Sequence, residues 1–179
     1  MALGYQGKLY ILAFDHRGSF QKKMFGIEGD PTPEQTAMIA DAKHLIYEGM
    51  EVAVKRGLDA AATGVLVDEQ FGGDIPQQAR AEGLKLAMPV EKSGQNEFDF
   101  EYGADFGAHI ERFNPDFSKV LVRYNPDDPD TEMNRRQLGR LKELADWLHA
   151  QPDDSRAAQS GEAGGRAGGR RERKFLFEL

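Results

Sequence analysis

Five short apolar runs recur along the chain, and each gives way to charged or polar residues. Leu9-Tyr-Ile-Leu-Ala-Phe14 runs into Asp15-His16-Arg17, and Gly64-Val-Leu-Val67 into Asp68-Glu69. Leu84-Lys-Leu-Ala-Met-Pro-Val90 runs into Glu91-Lys92, and Lys119-Val-Leu-Val122 into Arg123-Tyr124-Asn125. The last run, Lys174-Phe-Leu-Phe177, is followed by Glu178 and Leu179. Runs of this length between polar residues predict strands buried on both faces, as in a parallel sheet. They place strands at about 8–15, 64–68, 84–90, 118–124 and 174–179.

The stretches between the runs carry helical signals. Thr32 is a predicted N-cap, with Pro33 at the first helical position and Gln35 as its capping-box partner. The helix then extends to Arg56, with Gly57 closing it. Ile39, Ala42, Leu45, Ile46, Met50, Ala53 and Val54 fall at three- and four-residue steps and form its predicted apolar face, with His44 beside it in a structural or surface role. A short helix or helical turn is expected over 17–26, stopped by Gly26. Further helices are expected over Asp74–Ala81, Asp105–Phe113 and Thr131–Ala150, the last with Leu138, Leu141, Leu144, Ala145 and Leu148 as its apolar face. Residues 151–173 differ in kind. They are low-complexity, rich in Gly and Arg, and are expected to form a flexible surface insertion within the domain.

Strand and helix alternate, so right-handed crossovers predict a parallel sheet with helices outside it. The predicted class is α/β, of TIM-barrel type but incomplete, with about five parallel strands in one domain spanning residues 1–179. A complete eight-fold barrel needs about 250 residues. The expectation is therefore either an open sheet or part of a longer protein, and a last apolar strand without a following cap favours the second. An unpaired sheet edge invites association, so the fragment alone is expected to aggregate or to pair through its fifth strand.

Composition narrows the chemistry. A net charge of −7, without a basic stripe, argues against general nucleic-acid binding, although local Lys and Arg still suit an anionic substrate. The absence of cysteine excludes disulfides, thiolate catalysis and Cys-based zinc or iron–sulfur sites. No apolar run approaches the ~20 residues of a membrane-spanning helix, and the N-terminus lacks the pattern of a signal peptide. A soluble cytoplasmic protein is expected.

If the strands are parallel, Asp15, Asp68, Glu91, Lys92, Lys119, Arg123 and Glu178 converge on one rim, where α/β enzymes place their chemistry. Carboxylates among lysines suit acid–base work, and a lysine in an apolar pocket suits attack on a carbonyl. Arg17 or Arg123 suits a phosphate or carboxylate. The mixture points to carbon–carbon cleavage or proton transfer beside a carbonyl. The same acids also suit a magnesium ion, which leaves a metal-dependent lyase or isomerase as an alternative. Lys119 opens its run rather than closing it, and either points into a barrel interior or is solvated at a strand start.

Several motifs carry a family resemblance. They are Ala13-Phe-Asp-His-Arg-Gly-Ser19, Leu66-Val-Asp-Glu-Gln-Phe-Gly72, Pro89-Val-Glu-Lys-Ser-Gly94, Lys119-Val-Leu-Val-Arg-Tyr-Asn-Pro-Asp127 and Phe175-Leu-Phe-Glu-Leu179. In order and spacing they resemble successive strand ends of the class I aldolases related to tagatose-1,6-bisphosphate aldolase. The Asp15-His16-Arg17 form is most similar to the 2-deoxy-5-keto-gluconate-6-phosphate aldolase-like (DUF2090-like) domain of inositol catabolism, which relatives carry fused to a sugar kinase. The resemblance spans residues 9–179, with the Gly/Arg stretch matching poorly.

The resemblance implies a barrel that cleaves a phosphorylated keto sugar or sugar acid through a lysine Schiff base, with no metal and no cofactor. It places Asp15, His16, Lys119 and Glu178 in the site, with Asp15, Lys119 and Glu178 expected to be catalytic and His16 to contact substrate; the shared rim adds Arg17, Asp68, Glu91, Lys92 and Arg123 as candidate substrate contacts. The imine-forming lysine of the family lies on strand six, beyond Leu179, so this chain is expected to supply the supporting residues without the nucleophile. The implied partners are a small sugar phosphate and a second copy or a fused kinase domain, with no membrane and no nucleic acid. The remaining alternative is a truncated barrel fragment that only binds ligand.

Overall fold

The computed structural model describes residues 5, 7–127 and 130–150, and the backbone of 172–178. The insertion expected at 151–173 lies, up to 171, outside the described residues. The chain divides into two compact units: residues 7–89, and residues 90 onward with the first few residues of the chain.

In the first unit, β1 (Tyr10–Ala13), β2 (Thr63–Leu66) and β3 (Lys85–Pro89) pair in parallel. Tyr10 stands opposite Thr63, and Gly64 opposite Lys85. The crossover from β1 to β2 is α1 (Pro33–Lys55), and α2 (Glu69–Gly72) with α3 (Ile75–Ala81) lie between β2 and β3. This is the strand–helix alternation of an α/β fold. β2 is buried along its whole length, as its apolar run requires. Gly64 permits the close approach of β2 and β3, because a Cβ there would lie 2.6 Å from the Lys85 carbonyl oxygen.

The capping box of α1 forms as its sequence predicts. The Thr32 N–H donates to Gln35 Oε1 at 2.8 Å, and the Gln35 N–H to Thr32 Oγ1 at 3.3 Å. The face that α1 buries matches the expectation at Ile39 and Met50 and departs from it at Leu45. Ile39, Lys43, Tyr47 and Met50 point inward, while Leu45 is 68% exposed. Long amphipathic side chains fill the centre of the stripe with their stems and find polar partners for their tips. His44 sits at the margin, with Nε2 3.1 Å from Asp74. The helical turn expected after Arg17 is a π-helical turn, Phe20–Met24, and Gly26 follows it at φ +66°.

The second unit contains α4 (Phe106–Phe113), β4 (Phe117–Arg123), α5 (Thr131–Ala150) and β5 (Glu172–Glu178). Its core gathers Val90, Phe98, Phe100, Phe106 and Ile110 with Val120 and Val122 of β4 and Leu144 and Leu148 of α5. Phe100 stacks on Phe106 at 4.2 Å between ring centroids, and Trp147 meets Phe106 edge-on at 5.8 Å. α4 ends at Asn114, whose left-handed φ of 43° lets the chain turn toward β4.

Two expectations are corrected here. β5 runs antiparallel to β4, so the fifth strand does not extend a parallel set. Its apolar residues predicted a strand, but period and composition do not fix strand direction. α5 buries Met133, Asn134 and Gln137 with Leu144 and Leu148, leaving Leu138 exposed. Polar side chains at 134 and 137 are drawn inward because backbone groups of β4 and its loops accept and donate to them.

Among the described residues, no helix is long and apolar enough to cross a membrane.

Candidate functional site

In the first unit the chemistry gathers where β1 and β2 end. The Phe14 N–H donates to the Leu66 carbonyl at 2.9 Å, extending the β1–β2 ladder to the threshold of Asp15. Asp15, Arg17 and Asp68 are all buried. Between them lies Lys43 of α1, which sequence reasoning missed. Lys43 and Asp68 are each 1% exposed and form a direct ion pair. Lys43 Nζ also donates to the Phe14 carbonyl at 2.8 Å and lies over the rings of Phe20 and Phe71. Asp68 Oδ1 accepts the Phe71 N–H at 2.9 Å, capping α2, so both carboxylate oxygens are engaged.

Burial pushes the Lys43 ammonium below its ordinary pKa, against the opposing pull of Asp68 and, more weakly, Asp15. A signal for Lys43 was present in the sequence, since it sits four residues from both Ile39 and Tyr47 on the buried stripe.

His16 is exposed, its ring 6.4 Å from that of Phe20. It borders an open cavity of about 530 Å³ lined also by Phe14, Ser19, Phe20, Lys23 and Ile46. The turn beneath is held by Gln21, whose amide donates to the carbonyls of Ile27 at 3.2 Å and Gly29 at 2.5 Å.

In the second unit, Glu91 and Lys119 meet. Lys119 Nζ lies 2.5 Å from Glu91 Oε1, and both side chains are buried. The backbone fixes the pair from two directions. The Val90 N–H donates to the Lys119 carbonyl at 3.0 Å. The strip that follows folds back on itself, with Glu101 N–H to the Val90 carbonyl at 3.0 Å and Lys92 N–H to the Asp99 carbonyl at 2.9 Å. Lys119 is therefore a buried side chain rather than one solvated at a strand start.

Arg123 is four residues along β4 from Lys119, on the same face by strand alternation. Its guanidinium donates to the Gln95 carbonyl. Gln137 of α5 clamps the end of the strand. Its Nε2 donates to the Arg123 carbonyl at 2.8 Å, and its Oε1 accepts the N–H groups of Phe98 at 2.9 Å and Arg123 at 3.4 Å. Lys92 is exposed. Glu178 pairs in register with Phe117, at the start of β4, whereas Arg123 lies at its finish. The antiparallel course of β5 puts Glu178 at the opposite end of β4 from Arg123.

The sequence-selected residues thus fall into two groups. Asp15, Arg17 and Asp68 gather around Lys43, with His16 outside them. Glu91 and Lys119 form a contact pair, with Arg123 further along the strand. Among the described residues, no three His, Asp or Glu side chains gather as metal ligands. The pairing of Asp68 with Lys43 and of Glu91 with Lys119 suits proton handling.

Comparison with curated proteins finds no match, and neither does comparison with solved structures. Residues 4–154 match a family model described as "Uncharacterized protein conserved in bacteria (DUF2090)". The match takes in both lysine–carboxylate pairs and most of the chain, and the protein belongs to the DUF2090 family.

Proposed function

We propose that the chain is an aldolase-type carbon–carbon lyase domain of a TIM-barrel enzyme, acting on a phosphorylated keto sugar or sugar acid. The observation that carries this reading is the buried contact of Lys119 with Glu91. A carboxylate held against an ammonium away from bulk water is poised to exchange a proton with a substrate hydroxyl. In a retro-aldol step the hydroxyl proton leaves to a base as the adjacent carbon–carbon bond breaks, and the electron pair moves onto a substrate imine to give an enamine. Glu91 is the base in this scheme, and Lys119 steadies its charge before and after the transfer. The resemblance assigns the imine lysine to none of the described residues. Arg123 and Arg17 are the candidates for the phosphate. Asp15 belongs to the same reading as an acid held beside Lys43 and Asp68, and Glu178 takes no step in it.

The test is calorimetric titration of the full chain with dihydroxyacetone phosphate and with a ketohexose bisphosphate. Binding with a dissociation constant of about 1 mM or tighter is expected. Lys119→Met and Glu91→Gln should each weaken it roughly tenfold or more, since each leaves a buried polar partner unmatched. Heats indistinguishable from dilution, or variants that bind as well as the parent, would refute the proposal. Borohydride added to the same mixtures reports whether any lysine of the chain forms an imine, because only an imine is reduced to a stable adduct.

A further inference from the structure

The cavity bordered by His16 has a wall of mixed character. Phe14, Phe20, Met24 and Ile46 line it with apolar surface, and His16, Ser19 and Lys23 add polar groups. The spacing explains the mixture. His16, Ser19 and Lys23 follow one another at three- and four-residue steps through the turn after β1, and so do His16, Phe20 and Met24.

The apolar wall is built in advance of any ligand. Phe14 is buried, and Phe20 is met edge-on by Phe25 at 5.5 Å between ring centroids. Lys43 Nζ lies 5.8 Å from the centre of the Phe20 ring, and Gln21 ties the turn to the carbonyls of Ile27 and Gly29. Met24 lines the same space and is 64% exposed, a large apolar side chain that a ligand would cover. A preformed apolar wall with a few convergent polar groups is the usual form of a small-molecule site, and about 530 Å³ is an ordinary size for one.

Charge says which kind of ligand fits. No acid is among the described lining residues, although the chain carries a net charge of −7. Near Phe14 and Phe20, the buried Asp15 and Asp68 are matched by Arg17 and Lys43, two charges of each sign. Lys22 is drawn off to Glu28 at 3.5 Å. Lys23 is not. Among the described residues, neither its ammonium, nor the Ser19 hydroxyl, nor the His16 ring has a hydrogen-bond or ion-pair partner. Three groups that can donate, with no carboxylate to occupy them, select an anion.

We infer that this cavity binds a small organic anion with an apolar body, an aryl or alkyl carboxylate or phosphate. Its body lies against Phe14, Phe20 and Ile46, and its head is met by Lys23, Ser19 and His16. Such a ligand differs in kind from a sugar phosphate, whose hydroxyls would lose water against the aromatic wall without finding partners there. Every residue of the site lies within residues 7–89, so the inference stands apart from the Lys119–Glu91 pair.

Methyl NMR of the full chain, labelled at Met and Ile methyls, tests this. The Met24 and Ile46 signals are identified by their loss in Met24→Leu and Ile46→Val. The probes are 3-phenylpropionate and phenyl phosphate, with 3-phenylpropan-1-ol as the uncharged control and inorganic phosphate as the head alone. Either anion or both should shift the two signals with a dissociation constant of about 1 mM or below. Both controls should bind at least about threefold more weakly, the scale of an exposed ion pair. The tighter of the two anions identifies the head as carboxylate or phosphate. Lys23→Met should remove the advantage of the acid over the alcohol, and Lys22→Met should leave it in place. Both lysines are exposed, so thermal melts of both variants should match the parent. Met24 and Ile46 signals that stay fixed up to about 10 mM of either anion would overturn the inference. So would an alcohol that binds as well as the acid, or a Lys23→Met variant that keeps the preference.

Discussion

Replacing Lys43 by Met tests how the β1 and β2 ends are held. The change keeps an unbranched side chain of similar bulk, so packing against Phe20 and Phe71 is largely retained, while the ammonium is lost. Asp68 is left 1% exposed with its α2 cap through the Phe71 N–H but without its counter-charge. The Phe14 carbonyl loses a 2.8 Å donor. Removing one partner of a buried ion pair costs about 3–5 kcal/mol. A second change, Asp68→Asn in the Lys43→Met background, removes the orphaned charge and keeps the cap acceptor. It should return the protein to within about 2 kcal/mol of the parent. Urea unfolding followed by far-ultraviolet circular dichroism measures all three proteins.

The pH dependence carries a sign. Burial holds the folded Lys43 pKa below its ordinary 10.5. Between the two values the unfolded chain binds a proton that the folded chain has released, so stability rises with pH up to about 10.5. Lys43→Met should flatten that part of the slope. A single variant less than about 1 kcal/mol below the parent, or a double variant worse than the single, would refute the reasoning.

Three further outcomes are expected. Gly64→Val places side-chain atoms where a Cβ alone would be 2.6 Å from the Lys85 carbonyl, and should lower stability by about 1–3 kcal/mol or more in a urea melt. Gln137→Leu leaves the Phe98 N–H and the Arg123 carbonyl without their clamp, and should cost about 1–3 kcal/mol for each group left buried. Glu97 is held at a pKa of about 2, first by its hydrogen bond from Arg136 and then by Arg140. Its contribution is therefore full above about 4.5 and lost as pH falls toward about 2. Acid unfolding of Glu97→Gln should show a shallower slope across that window.

Much of the scaffold was legible in the chain. Apolar runs ending in charge located all five strands to within a few residues, and the Thr32, Pro33 and Gln35 triplet located the start of α1. What was not legible came from polar atoms with distant partners. Lys43 and Gln137 are buried because of Asp68, Phe14, Phe98 and Arg123, which are 14 to 39 residues away. A periodicity of apolar residues cannot show such pairings; it placed Ile39, Met50, Leu144 and Leu148 inward correctly but also assigned Leu45 and Leu138 to faces where the structure leaves them exposed. The direction of β5 is likewise a matter of pairing rather than of composition. Of the site, the residues were found at the strand ends. That Glu91 meets Lys119, and that Asp68 meets a helix lysine, only the three-dimensional arrangement reveals.

The proposal turns on whether the Lys119–Glu91 pair meets substrate, and lysine side-chain NMR asks that directly. In full chain labelled at lysine Cε, the Lys119 signal is identified by its loss in Lys119→Arg and followed as dihydroxyacetone phosphate is added. The account requires that signal to shift and saturate, and to stop responding in Glu91→Gln. A Lys119 signal that stays fixed while only exposed lysines respond would contradict it.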